Sequence, residues 1–190
     1  AAKCNIFKGE GAERLVTNRD CALTYDMVQG QDVPLTLFSS KLHDYESIMG
    51  EMQGRAVFVR DGIIVCADGK QERVMLDVGE ILLPGMHNVE NYMTAIAVTD
   101  GLVSDETIRH VAATFGGVEH RIELVRIKDG VRFYNDSIAS SPSRTIAGLR
   151  SFKEKVLLIA GGYDKHIPYD VMGDDVCEHV KILFVNGATG

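Results

Sequence analysis

The sequence predicts an α/β fold in two parts, and three patterns support this prediction. Aspartate-glycine pairs separate short strands in the first half, which is typical of an antiparallel meander. Apolar residues at helical spacing follow from Gly85. In the second half, two short apolar runs end in glycines and flank a helical segment, and this order predicts a βαβ unit with a parallel sheet.

The first half is expected to contain five short strands. They are predicted at residues 14–18, 35–38, 55–60, 63–67 and 72–76. Asp61-Gly62 and Asp68-Gly69 lie between the last three, and such pairs favour tight hairpin turns. These three strands should therefore form an antiparallel meander.

Two helices are predicted between Gly85 and Gly117. The first reaches about Asp100 and has an apolar face formed by Val89, Tyr92, Met93, Ile96 and Ala97. The second has Ser104 as its N-cap and a stripe formed by Ile108, Val111, Ala112 and Phe115. We place a domain boundary near Val118, which gives domains 1–118 and 119–190.

The second part begins with a predicted hairpin of residues 123–127 and 131–134 around Asp129-Gly130. A helix follows, with Ser141 as cap and Pro142 at its first position. Its apolar face would comprise Ile146, Leu149 and Phe152. Residues 156–160 and 182–185 are the two predicted parallel strands.

Composition narrows the class of protein. The 190 residues carry a net charge of -7 from scattered acids, and no Lys/Arg-rich run offers contacts to a nucleic-acid backbone. The four cysteines are far apart, which favours reduced thiols over zinc ligands. No apolar run approaches the length of a membrane span and no signal peptide is visible, so we expect no membrane partner and a cytoplasmic location.

Polar residues that follow strands are candidate ligand contacts, because ligands of open α/β sheets collect at the carboxyl ends of strands. Three groups qualify: Asp136 with Ser137 and Ser140, residues 161–165 including Lys165, and residues 186–190. An acid there can accept hydrogen bonds from a ribose, and a lysine can neutralise a phosphate or carboxylate. Taken alone, each group is a weak signal, because turn or cap residues in a solvated loop more often explain such a group.

Five further candidate residues do not directly follow a predicted strand. Asn88 and Asn91 are three residues apart at the start of a helix, where their amides could contact a base or cap the helix. Arg121, beside His120 at the predicted domain junction, could reach a phosphate or remain a surface arginine. Lys3 has no local indication of a role.

Read in order, three motifs resemble the successive signatures of the Mur ligase family. They are Gly85-Met-His-Asn-Val-Glu-Asn91, Gly117-Val-Glu-His-Arg-Ile-Glu123 and Asn135-Asp-Ser-Ile-Ala-Ser-Ser-Pro142. Ala1-Ala-Lys3 and Gly161-Gly-Tyr-Asp-Lys165 also resemble segments of that family. The combination of the second and third motifs is similar to the member of the family that adds D-glutamate.

The resemblance implies a remnant of a central ATPase-type domain followed by a partial Rossmann-like C-terminal domain. It also implies ATP and Mg²⁺ as cofactors, UDP-N-acetylmuramoyl-L-alanine and D-glutamate as substrates, an acyl-phosphate intermediate, and a monomeric parent protein in peptidoglycan synthesis. The roles it suggests are a carbamylated, metal-binding Lys3; nucleotide contacts from Asn88, Asn91, His120, Arg121 and Asp136; and D-glutamate contacts from Ser140 and Lys165.

Two departures from the family pattern matter. Ile138 stands where the family commonly has a lysine, which leaves the D-glutamate site short of a charge. No G-x-x-x-x-G-K-[ST] phosphate loop occurs. We therefore expect an internal fragment that is inactive alone, with a central-domain part that lacks its sheet core and is poorly soluble. Another Mur or folylpolyglutamate-type ligase, or a non-catalytic nucleotide-binding module, are the alternatives.

Overall fold

The computed structural model of the protein describes residues 13–188, which form two compact units. The first unit comprises the described residues up to Leu82 together with Asn88–Phe115. The second comprises Leu83–His87 and the described residues from Gly116 onward. The identification of residues 1–118 and 119–190 with particular ligase domains stays a prediction.

The first unit is built on one five-stranded sheet in the order β1-β2-β3-β4-β5. Its strands are Leu15–Asn18, Leu35–Ser39, Arg55–Arg60, Ile63–Asp68 and Gln71–Asp77. The first three strands are parallel, and the last three form the predicted antiparallel meander. Asp61 and Gly62 both have positive φ, 51° and 78°, as a tight turn between twisted strands requires. All five predicted strands are confirmed.

Four α-helices belong to the segments around this sheet: α1 (Ala22–Val28), α2 (Tyr45–Met49), α3 (Met86–Thr99) and α4 (Asp105–Thr114). The predicted apolar face of α3 is confirmed, since all five of its residues are buried. Ser104 caps α4 by accepting a hydrogen bond from the Thr107 N–H. The predicted stripe of α4 is only half right: Ile108 and Ala112 are buried, whereas Val111 and Phe115 are exposed.

The core of the first unit lies against its sheet. Leu37, Ile48, Met49, Ala56 and Phe58 have no exposed surface. The expectation that this part of the chain lacks a sheet core is therefore wrong. Strands β1–β3 and the meander supply a sheet of their own, which α1 and α2 help to cover.

The second unit contains two separate two-stranded sheets. An antiparallel hairpin joins β6 (Glu123–Lys128) to β7 (Val131–Asn135), and β8 (Val156–Gly162) pairs in parallel with β9 (Val180–Gly187). Helices α5 (Pro142–Leu149) and α6 (Gly173–His179) complete it. The predicted hairpin and parallel pair are confirmed.

Ser141 occupies the predicted N-cap position of α5, but its side chain makes no capping hydrogen bond. Its hydroxyl instead lies 3.3 Å from the Ser143 hydroxyl. Pro142 is the first residue of the helix and is buried, as is Leu149. The start of α5 therefore depends on the fixed φ of Pro142 and on packing.

Candidate functional site

Asp136 directly follows β7 and is held from two sides. One carboxylate oxygen, Oδ1, accepts a hydrogen bond from the Ile122 N–H at 3.1 Å. Near the other lies buried Gly148 of α5, where an added Cβ would be 2.9 Å from Asp136 Oδ2. Burial raises the pKa of the Asp136 carboxyl, while the Ile122 N–H, His87 and Arg121 act in the opposite direction. The result is a half-buried acid in a fixed orientation, suited to accept hydrogen bonds from hydroxyl groups.

The loop before β6 is conformationally strained. His120 has φ 66° and Ile122 has φ 46°, and both values lie in the left-handed region. A β-branched residue such as Ile122 rarely adopts this conformation. The His120 N–H donates to Glu123 Oε2 at 2.8 Å, and the His120 carbonyl accepts from the Ile138 N–H at 3.3 Å. Strained backbone of this kind persists only where surrounding contacts impose it, and it concentrates at functional sites.

His120 and Arg121 are both exposed and lie near the Asp136 segment. Asn135, the last residue of β7, donates its side-chain N–H to His120 Nδ1 at 2.7 Å. Arg121 is close enough to favour the charged form of Asp136. The structure thus brings together His120, Arg121 and Asp136, three of the predicted nucleotide contacts.

Ser140 lies in the loop between β7 and α5, and its side chain is exposed. Its N–H donates to the Ile138 carbonyl at 2.8 Å, and the Ile138 side chain is 44% exposed. An aliphatic side chain therefore stands in solvent where the family commonly has a lysine. The Arg144 guanidinium donates to the Ile138 carbonyl at 3.4 Å.

Lys165 is exposed three residues beyond the end of β8. The strand end itself needs glycine: Gly161 has φ 134°, and an added Cβ would be only 1.9 Å from the Asn186 carbonyl oxygen of β9. The motif from Gly161 to Lys165 therefore combines a close approach of two strand backbones with an exposed lysine. Of the predicted turn at 186–190, the last two residues lie outside the described part of the chain.

Asn88 and Asn91 belong to the first unit. Both lie inside α3, which begins at Met86, with Asn88 in its first turn. Asn91 donates its side-chain N–H to Asn88 Oδ1 at 3.3 Å. Asn88 is buried and Asn91 is exposed, so the pair presents an amide whose orientation is set by a buried neighbour.

A polar network that the sequence did not suggest lies where β1 and β2 end. Asp20, two residues beyond β1, accepts from the Ser39 hydroxyl at 2.6 Å and from the Ser40 N–H at 2.9 Å. The Ser40 hydroxyl donates to Glu90 Oε1 of α3 at 2.7 Å. The available signal was an acid and two serines directly after predicted strands, the same rule that selected Asp136.

Metal binding has no support from residues 13–188, where no three His, Cys, Asp or Glu side chains converge into a group that could hold an ion. Lys3, the predicted carbamylated ligand, lies outside those residues. We therefore assign no Mg²⁺ ligand. Among the described helices, none has the length and apolar character to cross a membrane.

The described architecture is a mixed α/β fold of the Mur ligase type. It superimposes on the crystal structure of MurF from Acinetobacter baumannii with a TM-score of 0.63, at 15% sequence identity, over 97% of this chain and 45% of that one. At this identity the likeness concerns the fold, and it confirms the predicted α/β class.

Two curated relatives are more specific. The UDP-N-acetylmuramoylalanine--D-glutamate ligase of Acetivibrio thermocellus is 47% identical over all 190 residues, and that of Ruminiclostridium cellulolyticum is 44% identical over 99% of the chain. The chain spans 39% of the length of each relative. No protein-family model matches it. The predicted resemblance to the Mur ligase family is thereby confirmed along the chain.

Proposed function

We propose that this chain is part of an ATP-dependent ligase that adds D-glutamate to UDP-N-acetylmuramoyl-L-alanine in peptidoglycan synthesis. The observation that carries the proposal is the cluster of His120, Arg121 and Asp136. It lies in a chain that is 47% identical to a protein named UDP-N-acetylmuramoylalanine--D-glutamate ligase. The hydrogen-bonded amide pair of Asn88 and Asn91 on α3 agrees with the proposal.

In this reaction the substrate carboxylate attacks the γ-phosphate of ATP, which gives an acyl phosphate and ADP. The amine of D-glutamate then attacks the acyl carbon, phosphate leaves, and the amide nitrogen loses a proton to solvent. Mg²⁺ would neutralise charge on the phosphates.

Asp136 is placed in this proposal as the ribose contact. Its Oδ1 is committed to the Ile122 N–H, so Oδ2 is the oxygen left to accept from a ribose hydroxyl. Arg121 offers a planar set of donors that suits phosphate oxygens. Asn91, the exposed amide of its pair, would contact the adenine edge, with Asn88 setting its orientation.

Ser140 and Lys165 are proposed to contact the D-glutamate carboxylates. Both are exposed and lie in loops that follow strands of the second unit. A lysine ammonium acts as a point charge toward a carboxylate, and a serine hydroxyl can donate one hydrogen bond. Because Ile138 carries no charge, Lys165 has the larger share of carboxylate binding in this proposal.

The 190-residue chain by itself is proposed to be inactive. It contains no G-x-x-x-x-G-K-[ST] segment, and that segment supplies the backbone donors and the lysine that bind ATP phosphates in enzymes of this type. Turnover by the 190-residue chain alone would contradict this part of the proposal.

The test is phosphate release by the full-length protein encoded by this gene, with ATP, Mg²⁺ and UDP-N-acetylmuramoyl-L-alanine. D-glutamate should be required, and L-glutamate, L-lysine or no amino acid should give only background. Asp136→Ala should raise KM for ATP, and Lys165→Ala should raise KM for D-glutamate, each by about tenfold or more. Lys128→Ala, in the exposed hairpin, is the matched control for Lys165.

Each other outcome favours one of the alternatives to the proposed function. Release with a different amino acid would keep an amide ligase but replace the substrate, as for another Mur or folylpolyglutamate-type enzyme. Nucleotide binding without release under any condition would favour a non-catalytic binding module.

A further inference from the structure

The polar network after β1 and β2 has no role in the reaction described above, although it reaches the helix that bears the asparagine pair. Asp20 accepts the Ser39 hydroxyl with Oδ1 and the Ser40 N–H with Oδ2. Ser39 is fully buried, and its oxygen accepts from the Lys41 and Leu42 N–H groups at 3.1 and 2.8 Å. The turn that carries Ser40 is therefore held by four hydrogen bonds.

Ser40 directs this rigid turn toward α3. Its hydroxyl has a single proton, and two carboxylates compete for it: Glu90 Oε1 at 2.7 Å and Asp20 Oδ2 at 3.3 Å. The shorter contact takes the proton. Asp20 still binds the backbone N–H of Ser40, so the donor of the Ser40–Glu90 hydrogen bond is held in place.

Glu90 lies between Asn88 and Asn91 in sequence and is adjacent to Asn91 on the helix. The buried side of α3 includes Val89, Tyr92 and Met93, and packing of apolar side chains is non-directional. A directional bond at Glu90 therefore limits rotation of the helix about its axis. The same rotation would change the direction of the exposed Asn91 side-chain amide.

We propose that Ser40 and Glu90 are positioning residues for nucleotide binding: the Ser40 hydroxyl, held through Asp20, fixes the rotation of α3 and so aims the Asn88–Asn91 amide pair. This inference rests on the proposed adenine contact of Asn91. It predicts that loss of the Ser40–Glu90 bond weakens ATP binding more than it slows the chemical steps.

The experiment measures KM for ATP and kcat of the full-length protein. Ser40→Ala and Glu90→Ala should each raise KM for ATP by about threefold to tenfold, with a smaller change in kcat. Glu90→Gln should restore most of the loss, because an amide oxygen still accepts from the serine. The double variant should be no worse than either single variant, since both remove one interaction.

Ser47→Ala is the matched control. It removes another serine hydroxyl that donates to a carboxylate, Asp44 Oδ2 at 2.8 Å, on helix α2. KM for ATP should not change. Asn91→Ala is measured alongside to test the adenine contact itself.

The outcomes separate the two proposals. A raised KM in Asn91→Ala with an unchanged KM in Ser40→Ala would overturn the positioning role and leave the nucleotide site standing. Unchanged values in both would overturn the adenine contact as well. If Ser40→Ala does not fold, the comparison of Glu90→Ala with Glu90→Gln decides: equal KM increases in those two variants would also overturn the positioning role.

Discussion

The strands of the two units have similar apolar patterns but differ in burial. In the first, β2 is buried along its whole length and the sheet has a continuous apolar core. In the second, the described strands are mostly exposed, and only five described residues are buried: Pro142, Gly148, Leu149, Asp175 and Val180. Apolar side chains such as Ile159 and Phe184 are 75% and 51% exposed. A strand pattern thus predicts pairing, but it does not predict whether the faces of the sheet are covered.

The difference has an energetic consequence. Burial of apolar surface is the main favourable term in folding, so most of the stability of this chain should reside in the first unit. The second unit holds its elements by local contacts, such as the edge-to-face pair of Tyr134 and Phe152 with ring centroids 5.0 Å apart.

The largest expected effect comes from the core itself. Phe58→Ala removes a fully buried ring and should lower the free energy of unfolding by about 3–5 kcal/mol. Phe133→Ala, on exposed β7, should cost less than about 1 kcal/mol. Urea denaturation of the 190-residue chain followed by circular dichroism measures both. Equal costs would contradict the contrast between the units.

A buried acid in each unit gives the next largest effect. Asp100 forms ion pairs with Arg55 and Arg73, and Arg14 donates to its carbonyl at 3.2 Å. Because both paired guanidinium groups are partly exposed, Asp100→Ala should cost about 1–3 kcal/mol. Asp175 pairs with Arg150 at 2.5 Å, its one ion-pair partner among residues 13–188, and Asp175→Ala should cost less. The same denaturation experiment compares them, and a larger loss in Asp175→Ala would reverse the ranking.

The smallest effects concern pH and have a different origin in each unit. Hydrogen bonds from Ser47 lower the pKa of Asp44, so its stabilising contribution is present above the unfolded pKa and is lost as pH falls through the folded pKa. Burial raises the pKa of Asp136, so its contribution is present below the unfolded pKa and is lost as pH rises through the folded pKa.

At neutral pH, Asp44→Asn should therefore lower the free energy of unfolding, and Asp136→Asn should raise it slightly. Both differences should shrink as pH approaches the ordinary aspartate pKa of about 3.9. Denaturation curves across this range measure the effect. A loss of stability in Asp136→Asn at neutral pH would show that its hydrogen bond outweighs its burial.

Local signals predicted the elements well where they depend on neighbouring residues. Aspartate-glycine pairs located the hairpins, and Ser104 located the start of α4. Helices α1 and α2 were missed because they have only seven and five residues, too few for a periodic pattern. Ile48 and Met49, both fully buried, show that α2 depends on packing against the sheet.

The sequence indicated the candidate residues of the site, but not the contacts that the structure shows among them. Asp136 followed from its position after a strand, but the Ile122 N–H that orients it has a left-handed backbone that no local pattern indicates. The Ser40–Glu90 bond joins residues 50 positions apart. Nothing near either residue in sequence indicates the other.

The sequence by itself determined the order of the strands and of the longer helices, the hairpin turns, the resemblance to a family, and the residues that stand at strand ends. These follow from the conformational preferences of adjacent residues and from short motifs. Only the tertiary structure decided that β1–β5 share one covered sheet while β8 and β9 remain exposed, and that Asp20, Ser40 and Glu90 meet. Burial and long-range hydrogen bonds depend on which distant segments pack together, and that choice belongs to the whole chain.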